Sequence, residues 1–150
     1  MILFLDIDGV LNGHEYDPQA ESCLIKKECI DNLSKILTET SAKVVISSAR
    51  YMVTRGAMTL QGFEYLLRTH GLHNITSRII GTTREDLNQT DPLERPKQIQ
   101  EWLESHPEVI TYVILDDLDL GPIKNHIRTD GKIGLTLENV NCAIEILGKG

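Results

Sequence analysis

The sequence lacks the cysteine pattern of a disulfide-stapled or zinc-binding protein. Its three cysteines, Cys23, Cys29 and Cys142, are an odd number without paired metal-ligand spacing, so a reducing cytoplasm is the expected location. The five histidines also lack a tight ligand spacing, which favours solvated or structural roles over a zinc site. We interpret Cys29 and Cys142 as small core residues on the apolar faces of helices.

Long apolar runs and an excess of basic residues are also missing. The amino-terminal apolar run Met1–Leu5 is ended by Asp6 and Asp8, too early for an export signal, so we interpret it as a buried strand and expect no membrane partner. The 15 Lys and Arg against 22 Asp and Glu give a net charge of -7, which disfavours a broad basic surface for nucleic acid. A local basic groove remains open as an alternative.

No linker-like tract divides the sequence. With 150 residues, 41% of them hydrophobic and 25% charged, it has the size and composition of one compact globular domain. We therefore expect a single domain over residues 1–150.

Short apolar runs rich in β-branched residues alternate with helical patterns, which predicts an α/β fold with a parallel sheet. The predicted strands are Ile2–Leu5, Val44–Ile46, Ile79–Ile80, Tyr112–Leu115 and His126–Thr129. The predicted helices are Lys26–Thr38, Gln61–Thr69, Lys97–Glu104 and Leu137–Leu147. The polar segment Gly81–Glu94 has no clear period and is either a loop that covers a site or a flexible linker.

Polar residues follow the predicted strands directly, where ligands bind in an open parallel sheet. They are Asp6, Asp8, Ser47, Ser48, Asp116 and Asp117, while Arg95 and Lys97 open the third helix. Alone, an Asp-x-Asp-Gly is more often a turn, and a serine after a loop is more often a helix cap. Their shared position at strand ends favours one active site instead. Carboxylates gathered there repel one another unless a hard cation such as Mg²⁺ lies between them.

Three of these segments resemble the signatures of haloacid dehalogenase (HAD) phosphatases. Phe4–Asn12, with the sequence FLDIDGVLN, resembles the first signature, Val45–Ser48 the second and Val113–Asp117 the fourth. Arg95 or Lys97 stands where that family has a cation, usually lysine. The resemblance covers nearly the whole chain and is greatest to the capless HAD domain of Swiss Army Knife RNA repair proteins. It implies a three-layer α/β/α Rossmann-like fold with a central parallel five-stranded sheet and no large cap domain.

The resemblance also implies Mg²⁺-dependent hydrolysis of phosphomonoesters. Asp6 would attack phosphorus and form an aspartyl-phosphate, and Asp8 would protonate the leaving oxygen and then activate water. Ser47 would contact a phosphoryl oxygen, and Arg95 or Lys97 would neutralise its charge. The implied Mg²⁺ ligands are Asp6, the backbone carbonyl of Asp8, and Asp116, with Asp117 as a neighbouring ligand or hydrogen-bond acceptor.

The sequence has no room for an inserted cap, so the phosphate of a large substrate would be accessible. A nucleic-acid or nucleotide end is favoured over a phosphoprotein by analogy with the family. Gly13–Pro18 is a candidate flap, and Arg50, Arg55 and Arg84 are candidates to line the approach. The alternative is a noncatalytic receiver-like or scaffold module with a Mg²⁺-binding acidic pocket. Because Asp6 and Asp8 both follow the first strand, turnover is favoured over that alternative.

Overall fold

A five-stranded, entirely parallel sheet forms the centre of the computed structural model, which describes residues 1–13, 25–48, 59–83 and 94–148. The strands are β1 (Ile2–Asp6), β2 (Lys43–Ser48), β3 (Ile79–Thr82), β4 (Tyr112–Asp116) and β5 (His126–Arg128). The helices are α1 (Lys27–Glu39), α2 (Leu60–Thr69), α3 (Glu94–Glu104) and α4 (Leu137–Leu147), and a 3₁₀ turn lies at His73–Ile75. The predicted α/β class, with helices on both faces of a five-stranded parallel sheet, is confirmed.

Alternation of side chains along β1 supplies both faces of the sheet. Leu3 and Leu5 pack into a cluster with the buried residues of α1, α2 and α4. Ile2 and Phe4 pack into a second cluster with those of α3. Because Asp6 continues the alternation of Ile2 and Phe4, it lies on the face that α3 covers.

The side chains of β4 alternate between the two faces of the sheet in step with those of β1. Ile114 belongs to the α3 cluster, so Asp116 follows it onto the same face. The strand order is β3-β2-β1-β4-β5, which makes β1 and β4 neighbours, and Leu5 pairs with Leu115. From β1 the chain adds β2 and β3 on one side of the sheet and then β4 and β5 on the other. The place where the direction reverses, between β1 and β4, is the switch point of the sheet, and ligands bind there beyond the carboxyl ends of the strands. Asp6 and Asp116 end β1 and β4 at this point.

Three predicted boundaries were wrong by two residues or more. Strand β2 continues to Ser48 instead of ending at Ile46. Helix α3 begins at Glu94 instead of near Lys97, which places Arg95 in its first turn. Strand β3 continues to Thr82, because Gly81 and Thr82 pair with the backbone of β2. Such pairing needs no apolar side chain, so the apolar pattern did not reveal it. Residues 84–93 of the predicted polar loop lie outside the described residues.

The two described cysteines differ in their environment. Cys29 is buried on α1 as predicted, and burial raises the pKa of its thiol above the usual value. The prediction for Cys142 was wrong, because this residue is exposed. Helix α4 buries a different face, which consists of Val140, Ala143 and Leu147. Cys23 lies outside the described residues.

The stretches between the described ranges are too short for a large cap domain. They are 14–24, 49–58 and 84–93, with 11, 10 and 10 residues, whereas a domain needs about 50 residues or more. Most of the predicted flap, together with Arg50, Arg55 and Arg84, falls in these stretches and lies outside the described residues. Among the described helices, none has the length and apolar composition that crossing a membrane requires.

The carboxyl end of α1 is held by the guanidinium of Arg78. It donates hydrogen bonds to the backbone carbonyls of Leu37, Thr40 and Ala42 at 3.1, 3.2 and 2.9 Å. The last turn of a helix leaves carbonyls without helical partners, and a cation there also complements the helix dipole. Arg78 therefore ties the segment before β3 to the end of α1.

We expect Arg78→Met to lower the free energy of unfolding by about 2 kcal/mol, since hydrogen bonds from charged groups contribute about 1.5–3 kcal/mol. Urea denaturation measures this change. Arg68→Met, at an exposed position on α2, is the matched control and should change stability by less than about 0.5 kcal/mol. Equal stability of the two variants would contradict the proposed anchoring.

Candidate active site

Helix α3 carries Arg95 to the carboxyl ends of the strands. Arg95, Ile99 and Trp102 are spaced by four and three residues and therefore share one face of the helix. Ile99 is fully buried, and Trp102 packs edge-on against Phe4 with ring centroids 5.3 Å apart. Through this packing Trp102 anchors α3 to the sheet and orients the face that carries Arg95 toward it.

The guanidinium of Arg95 joins the carboxylates that end β1 and β4. Its Nη1 lies 3.3 Å from Oδ2 of Asp6 and 3.0 and 2.9 Å from Oδ1 and Oδ2 of Asp116. The side chain of Arg95 is 15% exposed, that of Asp6 3% and that of Asp116 0%. The contacts are therefore largely shielded from water, which strengthens their electrostatic interaction.

Lys97 is not brought to this site. Its Nζ lies 3.9 Å from Oε1 of Glu101, and its side chain is 66% exposed. It follows Arg95 by two positions, which corresponds to a rotation of about 200° around a helix. The same geometry that turns Arg95 inward thus turns Lys97 toward solvent.

Three carboxylates meet at the switch point. Asp6, Asp116 and Asp117 each offer one oxygen, and these oxygens lie within 4.8 Å of one another. Asp6 and Asp116 are buried, while Asp117 is partly exposed. Asp8 is half-buried, and its side chain stands outside this group.

The charges of this group are incompletely balanced. Burial raises the pKa of Asp116 above its usual value, and the nearby Arg95 guanidinium and the Leu118 amide offset this only in part. Burial lowers the pKa of Arg95, but the carboxylates of Asp6 and Asp116 raise it by more, so the net shift is upward and the guanidinium stays charged. A further cation would therefore be favourable beside these carboxylates.

The donor set fits a hard divalent cation. All three donors are carboxylate oxygens, which such ions prefer over nitrogen or sulfur, and an added cation would relieve the carboxylate repulsion that Arg95 leaves. Asp116 is also held in place, because the backbone N–H of Leu118 donates to its Oδ1 at 2.9 Å. The group can hold a divalent metal ion on these grounds.

The loop after β1 approaches Asp117 through a glycine. Gly9 has a φ of +81°, and a Cβ at this position would lie 2.5 Å from Cγ of Asp117. Only glycine combines that backbone conformation with this close contact. Thr129, directly after β5, secures the loop, since its buried hydroxyl donates to the carbonyl of Gly9 at 2.7 Å.

Sequence reasoning assigned no role to Thr129 or Asn12. No local pattern marks Thr129, whose contact with Gly9 spans 120 positions. Asn12 had a signal that was not used: an asparagine four residues after Asp8, in a turn, commonly bonds to nearby groups. Its amide donates to Oδ1 of Asp8 at 3.2 Å.

Ser47 lies at an irregular point between β1 and β2. Leu5 pairs with Ile46 and Asp6 pairs with Ser48, so Ser47 is the extra residue where the register shifts. Its side chain is buried, and its hydroxyl has no hydrogen-bond partner among the described residues. A buried hydroxyl without a partner costs about 1–3 kcal/mol, so a ligand oxygen would relieve that cost.

Comparison with protein families matches residues 2–140 to the HAD domain in Swiss Army Knife RNA repair proteins. Comparison with curated proteins and with solved structures finds no match. The family match covers every described strand and helix except residues 141–147 of α4. The chain therefore belongs to the family of HAD domains found in Swiss Army Knife RNA repair proteins, and this membership indicates a hydrolase of the phosphatase type.

Proposed function

We propose that this chain is a Mg²⁺-dependent phosphomonoesterase that works through an aspartyl-phosphate on Asp6 within a single domain. The observation that carries the proposal is the meeting of Asp6, Asp116 and Asp117 with Arg95 at the ends of β1 and β4. It combines a nucleophile, a metal-binding group and a fixed cation in one crevice. Family membership supports the same reaction class.

The metal ligands in this proposal are Asp6, Asp116 and Asp117, together with the backbone carbonyl of Asp8. When bound, Mg²⁺ withdraws charge from phosphoryl oxygens and offsets their repulsion from the carboxylates. Carboxylates plus substrate phosphate are a common ligand set for this ion. The incomplete charge balance around Asp116 supports a cation here.

In the first step a carboxylate oxygen of Asp6 forms a bond to phosphorus while the bond from phosphorus to the leaving oxygen breaks. The bonding electrons go to the leaving oxygen, and Asp8 donates a proton to it. Asp6 is suited to this attack because Arg95 holds its carboxylate in place. The same guanidinium stabilises charge that develops on the phosphoryl group.

In the second step water attacks the phosphorus of the aspartyl-phosphate, and Asp8 accepts a proton from that water. Inorganic phosphate leaves, and the carboxylate of Asp6 is restored. Ser47 donates a hydrogen bond to a phosphoryl oxygen in both steps. Its buried hydroxyl, which lacks a partner among the described residues, supports this contact.

We propose a phosphorylated nucleic-acid or nucleotide end as the substrate. The stretches between the described ranges are too short for a large cap, so no cap domain would stand between the crevice and a terminal phosphate on a macromolecule. The family description, with its reference to RNA repair, favours nucleic acid over protein. The net charge of -7 disfavours binding along a long tract of nucleic acid and favours contacts near the end of the nucleic-acid strand.

Phosphate release tests this function. With Mg²⁺ we expect turnover of 4-nitrophenyl phosphate, a nucleotide or a 3′-phosphorylated oligonucleotide, and we expect excess EDTA to lower it by about 100-fold or more, since metal stabilisation of the transition state contributes several kcal/mol. Added Mg²⁺ should restore the rate. Asp116→Asn should lose activity, whereas Asp119→Asn, at an exposed loop position, should keep it.

Folded protein that releases no phosphate from any of these compounds would refute the proposed activity. A phosphorylated Asp6 that persists for many minutes without turnover would instead support the receiver-like alternative.

A further inference from the structure

We propose that Asn12 is a positioning residue that holds the carboxyl group of Asp8 for proton transfer, a role that rests on the proposed function. Asn12 is 1% exposed, and its Nδ2 donates a hydrogen bond to Oδ1 of Asp8 at 3.2 Å. Asp8 itself is only half-buried and belongs to a loop. The rigid partner is thus the amide, and the carboxyl group is the part that needs orienting.

The orientation of the Asn12 amide follows from its second hydrogen bond. The backbone N–H of Gly9 donates to Oδ1 of Asn12 at 2.9 Å. A flipped amide would direct N–H against N–H at Gly9 and oxygen against oxygen at Asp8, so both contacts would become repulsive. Asn12 therefore presents a donor, not an acceptor, to Asp8.

The backbone within the turn is also held by hydrogen bonds. The N–H of Lys26 donates to the carbonyl of Leu11 at 2.8 Å, and the N–H of Leu135 donates to the carbonyl of Val10 at 2.8 Å. These bonds come from two other parts of the chain and hold the residues directly before Asn12. The amide is consequently a fixed support, as required of a residue that orients a reacting group.

The hydrogen bond engages Oδ1 of Asp8, so Oδ2 is the oxygen assigned to proton transfer in this proposal. In the proposed first step this proton moves to the leaving oxygen as the bond to phosphorus breaks and its electron pair stays on that oxygen. A leaving group that is stable as an anion, such as 4-nitrophenolate, departs with little help from a general acid, whereas an alkoxide must be protonated as it leaves. Loss of positioning should therefore harm alkyl phosphates selectively.

Asn12→Ser tests the hydrogen bond to Asp8 separately from the hydrogen bond to Gly9 that stabilises the turn. The serine hydroxyl can still accept from the N–H of Gly9, since Ser replaces Asn in such turns, but it is too short to reach Asp8. We expect kcat for glycerol 2-phosphate to fall about 30- to 100-fold and kcat for 4-nitrophenyl phosphate to fall less than about 5-fold. The larger loss lies at or below the lower end of the roughly 100- to 10,000-fold that general acid catalysis contributes, because the carboxyl group of Asp8 itself is kept. KM for both should change less than about 2-fold, because the ground-state contacts of the phosphate are unaltered.

Thr129→Val is the matched control, because it removes a different hydrogen bond on the same loop, that to the carbonyl of Gly9. Any loss it causes should be equal for the two substrates. Asn12→Thr is a second variant, whose hydroxyl likewise accepts from the N–H of Gly9 and is too short to reach Asp8. The same selective loss is expected for it, which keeps the test valid should Asn12→Ser fail to fold.

Equal losses for both substrates in the Asn12 variants, or the same selectivity in Thr129→Val, would overturn the positioning role and leave the phosphatase function standing. Wild-type protein that turns over neither of these substrates, nor a nucleotide or a 3′-phosphorylated oligonucleotide, would overturn the proposed function and this role with it; if only the oligonucleotide is turned over, it replaces glycerol 2-phosphate as the substrate with an alkoxide leaving group. Retention of full activity on glycerol 2-phosphate by a folded Asn12 variant would also overturn the role.

Discussion

Asp6→Asn is expected to lower kcat for phosphate release by about 1,000-fold or more, a loss typical of removing a covalent nucleophile. An amide oxygen is a poor nucleophile, yet asparagine matches aspartate in shape and retains an oxygen for Arg95, which contacts Asp6 at 3.3 Å. The loss should thus reflect chemistry instead of misfolding. Phosphate release under saturating substrate measures it.

Rapid acid quenching gives an independent measurement of the same step. Wild-type protein should carry a phosphoryl group on the peptide that contains Asp6, and Asp6→Asn should not. Asp31→Asn is the control for loss of a carboxylate, since Asp31 is exposed on α1 and pairs with Lys27. Full turnover by Asp6→Asn, or a phosphoryl group on another residue, would remove Asp6 from the nucleophile role.

Arg95→Met is expected to lower kcat/KM by about 100- to 1,000-fold, the usual cost of removing one group that stabilises charge in the transition state. It should also lower the free energy of unfolding by about 3–5 kcal/mol, because removing one partner leaves buried charge uncompensated. The residues affected are Asp6 and Asp116, both nearly inaccessible to solvent. Urea denaturation with and without Mg²⁺ should show that the ion restores part of the lost stability.

Lys97→Met is the matched control for Arg95→Met. Both changes remove one positive charge from the first two turns of α3, but Lys97 lies in solvent beside Glu101. We expect its stability to change by less than about 0.5 kcal/mol, as for most exposed positions, and its activity to be nearly unchanged. A large loss in Lys97→Met together with an active Arg95→Met would reverse the assignment of the phosphate-binding cation.

Much of the fold was predictable because burial imposes a period on the sequence. The strands of the sheet were found from short apolar runs, and α1, α2 and α4 from apolar faces at helical spacing. The errors occurred where backbone contacts or weak polarity decide the structure. Gly81 and Thr82 join β3 through backbone pairing, and Cys142 faces solvent although its side chain is compatible with a core position.

The candidate site was predictable to a similar degree. Asp6 and Asp116 each extend an apolar alternation by one step, which is enough to place them on one face of a sheet once their strands are known to be neighbours. The sequence left Arg95 and Lys97 as alternatives, because that choice depends on where α3 begins and which of its faces meets the sheet. The catalytic roles of all these residues remain predictions.

The sequence by itself determined the fold class, the supply of carboxylates at strand ends and the family resemblance, because each arises from local patterns. Only the tertiary structure decided that Arg95 joins Asp6 to Asp116, and that Thr129 secures Gly9. These contacts join residues between 21 and 120 positions apart. Strand order and helix packing set such distances, and no short stretch of sequence encodes them.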